Sequence, residues 1–371
     1  MKFISLQQDL LKAIQSVSRS IGIKNTLPVL ANILIQTEPG KLKLSATNLE
    51  IGVIKKLNSK IEEDGELTVP AKTLLEIISS LPQEEIVFES SQETLKITTK
   101  SFSGTVNGIT ASEFPSIPLS QEKGITISSD ILLKSIPQIN FAAAVDEGRP
   151  TLTGILTNIS GSTLEFVATD GFRLAHKKIT LDKPQELAFK SLIPRRTFEE
   201  VVRLISEDLK EEGDTIEIST SENQNQIIFK IGTTEVSSRL IEGKFPLWEN
   251  IVPSKFENKT LVDRQELVKS LKLATVFAKS EANIIKIETQ DNKLKISSQA
   301  KELGAQESEI EAQTEGTPIN IAFNSKFLIE ALNGSNASQV SIEFSGNLSP
   351  ALIKPIGIEG LEYVVMPIRL S

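Results

Sequence analysis

The chain has 371 residues, enough for roughly two to four domains. It carries 40 Lys and Arg against 48 Asp and Glu, a formal net charge of -8, so no global positive field marks a polyanion as partner. It has no cysteine, which excludes disulfides, thiol catalysis and zinc–thiolate sites.

The first stretch, MKFISLQQDLLKAIQSV, alternates polar and apolar residues at helical spacing and lacks the apolar core of a signal peptide. No later segment approaches the ~20 apolar residues of a membrane span. A cytoplasmic protein without a membrane partner is the expectation.

Three segments share one helical plan: SLQQDLLKAIQSV (5–17), SSDILLKSIPQI (128–139) and VDRQELVKSLKLA (262–274), which align Lys12 with Lys134 and Lys269. A second helical plan recurs as VPAKTLLEIISSL (69–81), IPRRTFEEVVRLI (193–205) and AFNSKFLIEALNG (322–334), aligning Ala71, Arg195 and Asn324. Both sets repeat at a spacing of roughly 125 residues, the mark of an internal repeat. Between the helices lie alternating runs, GKLKLSATNLEIGVIKKL, STLEFVATDGFRLAHKKI and NKLKISSQAKELGAQESEI, whose period of two predicts half-buried antiparallel strands. The fold class is therefore α+β, with three repeated domains over 1–121, 122–250 and 251–371. The breaks fall near PLSQEKG (118–124) and ENIVPSK (249–255), and Phe114-Pro115 and Phe245-Pro246 are expected to end corresponding strands ahead of them.

Within FVATDGFRLAH (166–176), strand, turn and strand follow in order. Asp170 is expected to accept backbone hydrogen bonds in that turn, because the first third has SATNLEIGV and the last SSQAKELGA at the same place. His176 is the chain's one histidine and has no cluster of metal ligands around it in sequence. The dinucleotide, P-loop, zincin and nucleophile-elbow motifs are absent. Acidic runs at 62–66, 206–214 and 306–311 read as solvated turns and strand ends, so no catalytic residue, metal or cofactor is expected.

Basic residues recur on the repeated helices: Lys12, Lys72, Lys134, Arg195, Arg196, Arg203, Lys269, Lys272 and Lys326, with Lys24 and Arg149 in loops. Together they suit a positive lining that holds phosphates by charge and reads no bases. The C-terminus, EYVVMPIRLS (362–371), is apolar almost to its end, so it is expected to be tied down as a strand or used for contact. Alternation would put Val364, Met366 and Ile368 on one face, with Pro367 at an edge.

Along its whole length the chain resembles the family of the bacterial DNA polymerase III beta subunit, the replicative sliding clamp. The resemblance rests on MKF, TLPVLANILIQ (26–36), TVPAKTLLEI (68–77), ITASEFP (109–115), FVATDGFRLA (166–175), LIPRR (192–196), EGKFPLW (242–248) and EYVVMPIRL (362–370), met in the family's order. It implies two chains joined head to tail in a ring around duplex DNA, which is held topologically and without sequence preference. The ring is a processivity factor and not an enzyme. It tethers the DNA polymerase III catalytic subunit, is opened by the clamp-loader complex, and serves other DNA polymerases and repair proteins through short peptide motifs. A partner-peptide pocket is implied at Leu152, Thr169, Gly171, Phe172, Arg173, Leu174, Pro246, Asn250, Ile251, Asn324, Phe327, Leu348, Pro350, Val364, Val365, Met366, Pro367, Ile368, Arg369 and Leu370. DNA contacts are implied at Lys24, Lys72, Arg149 and Arg196, and dimer contacts at Val106, Val276 and Phe277. Phe172 stands where the best-known clamps often have histidine, and Asn250 where they often have arginine; Pro150 and Thr151 also depart. The pocket is expected to persist, with room for a different preferred peptide.

Overall fold

The computed structural model describes residues 1–22, 27–119, 124–209, 211, 213–221 and 225–369. The first third runs β1 (Lys2–Leu6), α1 (Gln7–Ser18), β2 (Asn32–Glu38), β3 (Lys41–Thr47), β4 (Ile51–Asn58), β5 (Lys60–Glu63), β6 (Glu66–Pro70), α2 (Ala71–Ser80), β7 (Glu85–Ser91), β8 (Thr94–Thr98) and β9 (Ser103–Asn107). The middle third repeats the order as β10 (Ile125–Ser128), α3 (Ser129–Ile139), β11 (Gly154–Thr169), β12 (Arg173–Pro194), α4 (Arg195–Asp208), β13 (Thr215–Thr220), β14 (Gln226–Ile231) and β15 (Thr234–Arg239). The last third follows as β16 (Asn258–Asp263), α5 (Arg264–Ala278), β17 (Ile284–Gln290), β18 (Lys293–Ala300), β19 (Gly304–Gly316), β20 (Asn320–Asn324), α6 (Ser325–Asn333), β21 (Gln339–Phe344), β22 (Ala351–Pro355) and β23 (Leu361–Val365).

The compact units differ from the repeats. One comprises Met1–Leu133 with Arg196–Leu240, the other Lys134–Arg195 with Ile241–Ser371. The middle third contributes strands to both.

In the first unit, α1 buries Leu10, Ala13, Ile14 and Val17, the i, i+3, i+4, i+7 stripe that a 3.6-residue period puts on one face. The Gln7 side-chain amide donates to the Ile78 carbonyl at 2.8 Å and ties α1 to α2. An eight-stranded sheet runs β10-β13-β14-β15-β4-β3-β2-β6, and a five-stranded one runs β5-β1-β7-β8-β9. The seam between first and middle thirds is β15 on β4, from Thr234↔Lys55 to Ser238↔Ile51. Beside it, the Lys55 ammonium meets Asp208 at 2.6 Å and donates to the Thr234 hydroxyl at 2.9 Å, while that hydroxyl donates to the same carboxylate. Arg203 is drawn into the interior as well. It donates to the Ser16 carbonyl at 2.9 Å and pairs with Glu200 and Glu207.

In the second unit, ten strands run β11-β12-β23-β22-β21-β16-β19-β18-β17-β20. Here α5 buries Leu267, Leu271, Ala274 and Ala278, and Asp263 caps it by accepting from the Glu266 amide at 2.9 Å. The seam is β12 on β23, from Arg173↔Val365 to Lys177↔Leu361.

Several sequence expectations need correction. Neither Phe114-Pro115 nor Phe245-Pro246 ends a strand: β9 stops at Asn107 and β15 at Arg239, and the prolines follow a short 3-10 turn or irregular backbone. The acidic run at 306–311 is no strand end but the middle of β19, where Glu307 and Glu309 face Lys295 and Lys293 across the ladder. Ser5 does not start α1; it belongs to β1, and α1 begins without a side-chain cap. The tail is strand only to Val365, so Met366 and Ile368 leave the alternation that Val364 obeys.

The seam of the first unit is open to test. Replacing Asp208 with alanine leaves the Thr234 hydroxyl without its acceptor and the Lys55 ammonium without its counter-charge, both groups being little exposed. We expect a loss of about 3 kcal/mol, read as a lower urea midpoint. Lys72→Ala, at a side chain 88% exposed, should leave the midpoint unchanged.

Candidate functional site

The turn between β11 and β12 is built by its own side chains. The Asp170 carboxylate accepts from the Phe172 amide at 2.8 Å and the Arg173 amide at 3.0 Å, as the sequence led us to expect. The Thr169 hydroxyl donates to the Arg173 carbonyl and accepts from the Gly171 amide at 3.1 Å. Gly171 has φ +90°, which favours glycine. The first third builds the same turn with other residues. Asn48 accepts from Glu50 and Ile51, Thr47 accepts from Leu49, and Leu49 itself takes a positive φ. The turn is thus architecture. What the middle repeat adds is the pair Phe172 and Arg173 in place of Glu50 and Ile51.

Arg173 is held on every side. Its guanidinium bonds Asp170 at 3.1 Å, donates to the Phe141 carbonyl at 2.7 Å and pairs with Glu330 of α6. It also lies over two rings, 4.8 Å from the Phe327 centroid and 5.3 Å from that of Phe141. Burial lowers its pKa, and Asp170 opposes that shift. Phe172, 55% exposed, stacks on Phe327 with centroids 6.2 Å apart. Arg173 therefore positions the aromatic wall, and Phe172 presents it.

A floor lies behind that wall. Leu174 of β12 pairs with Val364 of β23, and both join Leu156, Val167, Leu192, Leu352 and Trp248 in one buried cluster. Ile251 packs on its margin, while Pro246 and Asn250 are exposed beside it. Leu152, Thr169 and Val365 are buried as well, so they shape the floor and present little surface. Past Val365 the chain crosses the site: the Met366 amide donates to the Phe172 carbonyl at 2.9 Å and the Ile368 amide to the Ala322 carbonyl at 2.7 Å. Met366 and Arg369 are exposed there, with Pro367 and Ile368 partly covered. Asn324 caps α6 through the Lys326 amide at 3.0 Å. Leu348, 62% exposed, and Pro350 lie in the connection that leads into β22. Leu370 and Lys24 lie outside the described residues.

The histidine sits next to this floor. His176 is 8% exposed, with Nδ1 2.8 Å from Glu362 and Nε2 3.0 Å from Glu165. Its ring lies 4.5 Å from that of Trp248, the chain's one tryptophan. The hydrogen bond from His176 holds the Glu362 carboxyl below its ordinary range, against the opposing effect of burial. Stability from that bond is present at neutral pH and is lost as pH falls through the lowered value. Among the described residues no group of three or more His, Cys, Asp or Glu is placed to hold a metal.

The remaining site residues lie elsewhere. Arg149, read from sequence as a DNA contact, has its guanidinium 6.0 Å from the Phe172 ring centroid. Lys72 and Arg196 are exposed at the first turns of α2 and α4. Lys12, Lys134, Lys269, Lys272 and Lys326 are exposed as well, whereas Arg203 is engaged as described. Val106 lies on the terminal strand β9, but its side chain is buried under its own sheet. On α5, Leu273 and Val276 are exposed while Phe277 is half-buried. Phe141, Glu330 and Trp248 escaped the sequence reading of the site, since nothing in their spacing links them to residues 169–174.

Three family models match in order: the N-terminal domain of the DNA polymerase III beta subunit over residues 1–118, its central domain over 126–247 and its C-terminal domain over 249–369. The beta sliding clamp of Synechococcus elongatus is 30% identical over 377 residues, covering all of both chains. That of Staphylococcus aureus is 30% identical, covering 99% of this chain and 97% of its own. Among solved structures, the DNA polymerase III subunit beta from Pseudomonas aeruginosa matches with TM-score 0.93 and 29% identity, and the DNA polymerase sliding clamp from Bacillus subtilis with 0.94 and 26%. Both alignments cover all of each chain.

Proposed function

The chain belongs to the DNA polymerase III beta-subunit family and is a DNA sliding clamp, and from that premise we propose how its surfaces divide the work. Two chains close head to tail into a ring on duplex DNA in the cytoplasm. The exposed cations on the repeated helices, Lys72 and Arg196 foremost, face the phosphates. The groove at Phe172, Phe327 and Met366 takes short peptide segments of the DNA polymerase III catalytic subunit, the clamp loader and other DNA polymerases and repair proteins. The clamp is a processivity factor and carries no active site of its own. The observation that carries the docking assignment is an exposed aromatic and methionine surface over a buried apolar floor, all assembled within one compact unit.

Two unpaired sheet edges support the head-to-tail closure. In the first unit, among the described residues, β9 pairs only with β8. In the second, residues 304–311 of β19 pair with β18, and the described residues supply no strand on their other side. An exposed edge pairs readily with another chain, and here the two belong to opposite ends of the sequence, as a heterologous interface requires. Val106 then contributes through its strand's backbone, because its side chain is buried, while Val276 and Leu273 offer the apolar contact.

Retention tests the ring. The protein should stay on closed circular duplex and leave when the circle is cut; equal retention on linear DNA would reject sliding. Replacing Lys72 and Arg196 together should lower the slope of log K against log salt by about 2 in magnitude, with no change in sequence preference. Val276→Asp places a charge on an exposed position that the free chain tolerates. It should weaken the dimer by on the order of 3 kcal/mol, seen as dissociation by sedimentation with the fold intact; an undisturbed dimer removes Val276 from the interface. Deleting Met366 onward should abolish titration-calorimetry binding of a polymerase tail peptide. The dimer should survive, since the proposed ring contacts lie elsewhere.

A further inference from the structure

A neutral imidazole carries one N–H donor, and only the imidazolium carries two. Both ring nitrogens of His176 meet a carboxylate oxygen, Glu362 on β23 and Glu165 on β11. Deprotonation would turn a lone pair toward one of those oxygens and break that bond. The ring also lies 4.5 Å from that of Trp248, tilted by 44°, close enough for its charge to be felt by the indole π-system. These contacts reach two parts of the proposed docking groove. Glu362 lies in register with His176, two residues from the Val364↔Leu174 pair of the floor. Trp248 packs in the same buried cluster and begins the short turn that holds Asn250 and leads into Ile251.

We propose that His176 is a positioning residue, a proton-operated latch whose imidazolium binds β23 and Trp248 to the groove floor, so that losing its proton loosens the peptide-docking groove. This rests on the docking assignment above, but the latch has readouts of its own. The charged groups around it are few. Glu165 comes from β11 and Glu362 from β23. Lys354 of β22 acts on Glu362 and is itself bonded to Glu343 of β21 at 3.0 Å. On its own strand Lys177 donates to the Glu359 carbonyl, and Lys178 is next in line. Of these lysines Lys354 acts on the acidic pair, through Glu362, and His176 is the one member whose proton decides whether both bonds stand. The latch has two ends in pH. On the acid side it fails when Glu362 is protonated, below the ordinary carboxylate range; on the alkaline side it fails when the imidazolium deprotonates.

The test uses the full-length protein, with Trp248 as its single tryptophan. Fluorescence is followed from about pH 5 to 9.5, because a contacting imidazolium quenches indole emission. The wild type should brighten in one transition as pH rises, and His176→Gln should show none. Across that transition, hydrogen exchange at Val364 to Met366 should accelerate beyond the intrinsic pH effect. The Kd for a polymerase tail peptide should rise about tenfold or more, the scale of one charge-assisted bond. In His176→Gln both should be level. Glu362→Gln, a milder change should the first fail to fold, gives Nδ1 an amide that can donate or accept, so its affinity should hold through the wild-type transition. A missing fluorescence transition overturns the latch, as does a transition with no change in exchange. Pocket binding that is level in pH while the transition occurs overturns the coupling to docking. If the peptide binds at no pH, the docking assignment fails instead, and fluorescence and exchange alone decide the latch.

Discussion

Five residue pairs between β12 and β23 hold together the groove proposed for docking, from Arg173↔Val365 to Lys177↔Leu361. One strand belongs to the middle repeat and the other is the last strand of the chain. Their ladder sets Leu174 against Val364 as floor, leaves Phe172 at the free turn, and brings His176 against Glu362. A slip of one residue would turn Leu174 and Val364 outward and expose the cluster around Trp248. The groove is a consequence of that register before it is a set of contact residues.

The first unit uses the same device at its own seam. There β15 pairs with β4, and the corresponding turn carries Glu50 and Ile51 where the second unit has Phe172 and Arg173. Both turns hold their backbone by an Asx side chain and a threonine hydroxyl. The difference lies in what the scaffold presents. An arginine between two phenylalanine rings fixes a wall, and Ile51 in that place is buried in its own sheet.

Much of this was legible in the sequence because it is periodic. The six helices read from 3.6-residue stripes match α1 to α6, and the Asp170 turn was read correctly from its repeat partners. What failed to read was long-range. Glu165 and Glu362 meet one imidazole across two strands, and no local pattern marks a histidine for a buried bridge. Arg203 looked like Arg196 in sequence, yet its place on α4 puts it within reach of the Ser16 carbonyl and two glutamates. Phe114-Pro115 and Phe245-Pro246 misled because a proline breaks a strand and equally well follows an irregular turn.

The pairing of β23 with both its neighbours bears on the docking proposed for the groove. The groove draws on the middle third for the 169–174 turn, Phe141, Leu152 and the floor residues Leu156, Val167 and Leu192, and on the last third and the 246–251 segment ahead of it for the rest. The floor is complete only when the final strand has paired with β12 and β22. A chain that is truncated, or still unpaired at its end, lacks Val364 from the cluster and the carbonyl–amide bond between Phe172 and Met366. Such a chain has an incomplete floor for the apolar anchors of the proposed docking, and a few buried anchors carry most of the energy in an interface.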